Sequence, residues 1–311
     1  MIAYALRRLA TIVAVVVLAV TGSWVILGSL WGSIYPPNGH VTVWQQLAHL
    51  PAQLVRVFGH MDLGYDQFYR QPVSHSLWQG LPVDAALMLG GLVCGIVIGL
   101  AFGLLGGPKS KTPVDSSLLF GSSVLLSLPV YLMAAVVIAT FSNVTGSHGL
   151  AFVSGPGDYT SATHDPIGWL QSMWVPWLIV GAPLAAITYR MTRTAVRTDL
   201  EADFVRTARA KGVRERLVMR RHVLRAALPA VLGTVSVTVP TVAVNTILLE
   251  SAMELPGLFT RFDISPQVGD KFTTPSFAVI QALVLETSAL VAIGIFICDL
   301  LHAWLDPQIR R

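Results

Sequence analysis

Six stretches of this 311-residue chain each run for roughly 20 residues almost without charge, long enough to cross about 30 Å of hydrocarbon as a helix. They fall near 9–31, 86–107, 118–142, 173–189, 229–249 and 277–301. Only helices fit them: an open sheet edge in lipid strands its backbone N–H and C=O groups, and a membrane barrel is written in short alternating segments. Charged residues make up 12% of the chain and hydrophobic ones 53%, against about 25% charged in an ordinary soluble domain. That balance excludes a typical cytosolic enzyme and a disordered chain alike. The expectation is an all-α membrane protein of six transmembrane helices.

The first stretch follows Arg7 and Arg8 as a secretory signal would, but its apolar run is too long for a signal core and lacks a small-residue cleavage site. It reads as a retained helix. Orientation follows from the loops, because basic flanks favour the cytoplasmic side. Arg7 and Arg8, then Lys109 and Lys111, then residues 190–225, then Arg310 and Arg311 all fall on one side, and 190–225 alone holds 11 of the 21 positive charges. The opposite loops carry only Arg56, Arg70, Arg261 and Lys271. Both termini are therefore expected in the cytoplasm.

The chain divides into an N-terminal helix (1–31), an external subdomain (32–84) too long for a bare connection, and a five-helix core (85–311) with a cytoplasmic loop at 190–228. The turn-rich run GPGDYTSATHDP at 155–166 predicts an exposed cap. Trp169, Trp174 and Trp177 follow it, as expected of rings that anchor between water and hydrocarbon.

Several motifs speak against catalysis. GLLGGPKS at 103–110 imitates a phosphate-binding loop, but Pro108 stands where the second glycine belongs and a membrane helix replaces the strand that should precede it. The eight histidines show no metal-ligand spacing, no G-x-S-x-G turn is present, and Cys94 and Cys298 lie inside apolar runs as packing residues. No metal, catalytic residue or cofactor is expected in this chain.

Other positions point to packing or transport. Gly91, Gly95, Gly99, Gly103 and Gly107 recur at every fourth residue, a smooth ridge against which a second helix can pack closely. Pro129, Pro183 and Pro240 sit inside predicted spans, where a missing N–H kinks the helix. Glu250 and Glu286 are carboxylates in or near spans, and such groups face a bundle interior or water. With Ser127 and Asn245, Pro129 and these two acids are the candidates for lining a pathway.

The segment LEADFVRTARAKGVRERLVMRRHVLRAALP at 200–229 is basic and helix-prone. Such a segment can bind anionic lipid or RNA. Asp199 and Asp203 favour a helix start and Gly212 a stop, which fits a short helix that plugs into a partner's groove.

These residues resemble the integral-membrane permeases of ATP-binding-cassette importers, specifically the dipeptide and oligopeptide permease family. The resemblance rests on DFVRTARAKG at 203–212, DLGY at 62–65 followed by Pro72, Val73, Leu81 and Pro82, ESAMELPGL at 250–258, and LDPQIR at 305–310. Met253 departs from that family's usual aromatic, and the loop 259–275 looks longer than is typical. The resemblance implies a MetI-like, type I importer fold in a bacterial plasma membrane. It implies that Asp203, Arg206, Thr207, Ala208, Arg209, Ala210, Lys211 and Gly212 form the helix that couples to the ATPase. It further implies a second homologous permease, ATPase subunits that bind the ATP and magnesium, an extracytoplasmic binding protein, and a peptide or similar small solute; nucleic acid is not among the expected partners. The rival readings are a proton-coupled secondary transporter built on Glu250 and Glu286, and a membrane-embedded enzyme, for which no nucleophile and base are paired.

Overall fold

Glycine at four-residue spacing lets two helices run in near backbone contact, and the longest helices of the protein are joined in that way. The computed structural model describes residues 2–34, 43–66, 71–108, 112–142, 153–262 and 277–305. Helix α1 spans Ile2–Ile34 and α2 Val43–Leu54, the latter running on through a wide turn at Val55–Gly59. Two short antiparallel strands follow, β1 (Tyr65–Asp66) and β2 (Gln71–Pro72). Then come α3 (Val73–Gly106), α4 (Pro113–Ser127), α5 (Val130–Phe141), α6 (Pro166–Leu200), α7 (Asp203–Ala210), α8 (Glu215–Val218), α9 (Leu224–Ala252), α10 (Leu258–Phe262) and α11 (Phe277–Leu305). Lys109, Lys111, Arg70, Lys271, the C-terminal residues 306–311 and loop residues 263–276 lie outside the described residues, as do residues 35–42 and 67–70 of the segment between α1 and α3.

Five of these helices, α1, α3, α6, the continuous run from α8 through α9, and α11, are long and apolar enough to cross a membrane. The third predicted span is different. Residues 118–142 do not form one helix: α4 and α5 meet at 102°. Leu128 is extended (φ −89°, ψ 122°) because the ring of Pro129 disfavours the helical conformation in the residue before it. The bent pair together is apolar and long enough for one broken span or a re-entrant loop. Pro183 and Pro240, by contrast, lie inside unbroken helices.

The most extensive interface joins α3 to α6. A methyl group at Gly95 would lie 2.9 Å from both the Gly181 carbonyl oxygen and Leu184, one at Gly99 2.5 Å from Thr188, and one at Gly107 2.5 Å from Val196. The predicted ridge is thus a packing seam. Around it Leu87, Met88, Val180, Leu184, Val235, Val239 and Leu249 form the main core with α5, α9 and α11.

Helix ends are fixed locally. Asp165 accepts the Ile167 N–H at the start of α6, and Thr112 accepts the Asp115 N–H at the start of α4, each with proline at the first helical position. The turn-rich loop packs inward at one end, where Val153 is buried and the Gly157 N–H donates to the Met253 carbonyl. Met253 is itself buried in the main core, so the residue that departs from the family's aromatic still does apolar packing. Trp177 turns toward α3. Its indole N–H donates to the Ala86 carbonyl at 2.9 Å, and its ring stacks edge-on with Trp169 at 5.4 Å.

A smaller cluster at the other end of α3 holds the DLGY motif. Asp62 accepts the Gly64 N–H at 3.0 Å and pairs with Arg56 at 3.0 Å, closing a turn that inserts Leu63 among Val20, Val57, Val73, Leu77 and Leu258. The Gly64 N–H and then the Arg56 guanidinium hold the Asp62 carboxyl below the usual carboxylate range.

Candidate functional site

Two groups of residues combine chemistry with position. The first is α7 and the turn after it. Val205 and Ala208, three residues apart, face inward and pack with Val196 of α6, Val218 of α8 and Val223. The opposite face presents Phe204, Arg206, Thr207, Arg209 and Ala210 to solvent. Arg206 lies 3.5 Å from Asp203, and the Thr207 hydroxyl donates to the Asp203 carbonyl.

The end of α7 follows from Gly212. Its N–H donates to the Arg209 carbonyl at 2.9 Å, while the Val213 N–H reaches back to the Ala208 carbonyl at 3.2 Å. These are the two bonds of a Schellman motif, which requires a left-handed residue at the glycine position, and Gly212 has φ +74°. Val213 completes the motif by packing on the same cluster as Ala208. Arg209 then ties α7 to α8 through Glu215 at 2.6 Å, and that guanidinium holds the Glu215 carboxyl below its usual range. The helix is just over two turns long and starts at Asp203; Asp199 belongs to the last turn of α6.

The second group is a knot of three buried acids from three helices: Asp84 of α3, Glu250 of α9 and Glu286 of α11. They line one pocket with Met88, Thr246 and Phe259. Asp84 Oδ2 accepts the Leu258 N–H at 2.8 Å, and Glu250 Oε1 accepts the Thr260 N–H at 2.7 Å. The acids thereby satisfy the unpaired N–H groups that open α10. Asp84 Oδ1 and Glu286 Oε1 find no N–H or O–H donor among the described residues. Gly257 passes between the acids so closely that a methyl group there would overlap Asp84 Oδ1 and lie 2.5 Å from Glu250.

The pathway candidates therefore separate. Glu250 and Glu286 come together. Ser127 and Pro129 are exposed at the bend between α4 and α5, and Asn245 is half-buried on α9 outside the acid-lined pocket. Asp84 and Gly257 were missed as partners. The signal for Asp84 was present, a carboxylate against the apolar run that follows it, the feature that singled out Glu250. Among the described residues no group of histidine, cysteine and acid side chains has the geometry to hold a metal ion.

The cluster's work here is to fasten α10 to the bundle, which makes a prediction. Glu250→Gln keeps an oxygen acceptor for Thr260 and should cost less than about 1 kcal/mol, whereas Glu250→Ala should cost about 2–3 kcal/mol by leaving that N–H unpaired. Melting temperatures of the two purified variants decide it; equal losses would deny the bond a structural role.

The protein is thus a polytopic helical chain that presents a capped, outward-facing helix on a long basic loop. Residues 91–311 match the family described as binding-protein-dependent transport system inner membrane component, and the chain belongs to that family. It is the permease component of such an ATP-binding-cassette system, and the proton-coupled alternative is not favoured. The chain is similar to the oligopeptide transport system permease protein AppB of Bacillus subtilis (strain 168), 28% identical over 240 residues covering 77% of this chain and 72% of that protein. It is also similar to the probable peptide ABC transporter permease protein y4tP of Sinorhizobium fredii (strain NBRC 101917 / NGR234). There the identity is 25% over 264 residues, 84% of this chain and 80% of the relative.

Proposed function

We propose that this chain imports peptides, di- or oligopeptides or closely similar solutes, across a bacterial plasma membrane. A second homologous permease supplies the other half of the pathway, an extracytoplasmic binding protein delivers the solute, and ATPase subunits holding ATP and magnesium dock on α7. Both termini then lie in the cytoplasm. The names of the relatives support the solute class. The observation that carries the coupling role is α7 itself: its inner face is locked to α6 and α8 while its outer face, Phe204, Arg206, Thr207, Arg209 and Ala210, is left uncovered. A helix held so rigidly transmits a push from a partner to α6 and α9 instead of absorbing it.

Gly212 provides the test. No atom lies within 4 Å of where its Cβ would be, so a substitution strains the backbone and nothing else. Gly212→Val should weaken the α7 cap by about 1–2 kcal/mol, and uptake by the assembled transporter should fall roughly 5- to 30-fold while ATP hydrolysis persists. Gly212→Asn, which tolerates the left-handed conformation, should stay near wild type. Unchanged uptake in the valine variant would sink the docking assignment.

A further inference from the structure

The arginines of the long basic loop are of two kinds. Among the described residues Arg193, Arg206 and Arg209 each pair with a carboxylate, and Arg190 donates to the hydroxyls of Ser122 and Ser123. Arg220, Arg221 and Arg225 pair with none of the described acids, and together with Leu217 they line one open hollow of about 340 Å³. The backbone brings them together. Between α8 and α9, residues Met219–Val223 form a wide helical turn in which the Leu224 N–H reaches the Met219 carbonyl, five residues back. Arg220 and Arg225 are also five residues apart, which a regular α-helix would set about 140° apart around its axis. The wide turn directs both over the same hollow, and such local widenings recur at functional sites.

What surrounds the hollow narrows the ligand. Three guanidinium forks around one space suit a phosphate, whose oxygens accept paired N–H donors. Leu217, the fourth lining residue, is 48% exposed, so the site has an apolar wall. Directly after Arg225 the chain turns apolar with Ala226, Ala227 and Leu228 and continues as the membrane-crossing α9. Among the described residues no aromatic side chain lines the hollow to stack a nucleotide base. The patch also sits at the end of α9 that enters the membrane, not on the uncovered face of α7. We propose that this hollow binds the phosphodiester headgroup of an anionic phospholipid whose acyl chains lie along α9. The site stands independently of the solute the permease carries.

Native mass spectrometry of the detergent-purified chain, titrated with phosphatidylglycerol or phosphatidylcholine, tests it. The wild type should retain phosphatidylglycerol in preference, and Arg220→Gln, Arg221→Gln and Arg225→Gln should each weaken that binding roughly fivefold, on the order of 100-fold when combined. Arg216→Gln, outside the hollow, should leave it unchanged. Equal retention of both lipids by the wild type, or an undiminished preference in the triple variant, overturns the proposal. Displacement of the lipid by millimolar inorganic phosphate would make this a free-anion site and overturn it too. A triple variant that keeps its phosphatidylglycerol but loses co-purifying ATPase would assign the patch to the ATPase instead.

Discussion

Asp115→Ala should lower the stability of the purified chain by about 3–5 kcal/mol, because it leaves the Arg193 guanidinium largely buried with no counter-charge. The pair is bidentate, at 2.5 and 2.6 Å, with the aspartate side chain 4% exposed and the arginine 15%. It is the chief polar tie between α4 and α6, reinforced one turn earlier by Arg190 on Ser122 and Ser123. Removing both charges is a different experiment. Asp115→Leu with Arg193→Met should recover most of the loss, since a buried ion pair replaced by apolar groups of similar volume is often neutral. Thermal unfolding in detergent of the two single variants and the double closes the cycle, and purely additive losses would show that the two residues do not act as a pair.

Gly181→Ala should be nearly as damaging for an addition of one carbon. Its Cβ would sit 2.5 Å from the Gly91 carbonyl oxygen, a backbone atom that cannot rotate away, so α3 and α6 must part along their shared seam. Overpacking of that kind costs about 1–3 kcal/mol, and Gly181→Leu should prevent recovery of folded protein altogether. The control is Gly121→Ala on α4. Nothing lies within 4 Å of that Cβ, and removing a flexible residue from a helix should stabilise it slightly, by about 0.5–1 kcal/mol. Should Gly181→Ala melt with wild type, the seam is looser than its geometry indicates.

The parts of this structure legible in the sequence are those written in local periodicity. The apolar runs give the spans, the glycine spacing gives the face of α3 that meets α6, and Asp203 and Gly212 mark where α7 begins and ends. Contacts between distant residues were not legible. Nothing near Asp84 announces that it will meet Glu250 and Glu286, and the carbonyl that turns Trp177 inward belongs to Ala86 on another helix. The bend at Leu128 lies between these cases. Pro129 signalled a kink, but Pro183 and Pro240 carry the same signal inside unbroken helices, so the size of the break depends on packing that the local sequence does not contain.

Helix α1 crosses the membrane at the rim of the bundle, held mainly by α11 through contacts that include Arg8 with Asp299 at 3.4 Å. All of residues 35–276 must be synthesised between these two helices. At the usual pace of translation that is a wait of roughly ten to fifty seconds, during which α1 sits in the bilayer with lipid where its lasting neighbour will be. Its outward residues, Val13 and Leu18 among them, remain exposed in the finished chain and suit that interval as well as the folded state. The bundle therefore closes last where α11 meets α1, and ribosome-stalled chains that stop short of α11 should hold every internal contact of α3 with α6 while α1 keeps only its contacts with α2 and the cluster around Leu63.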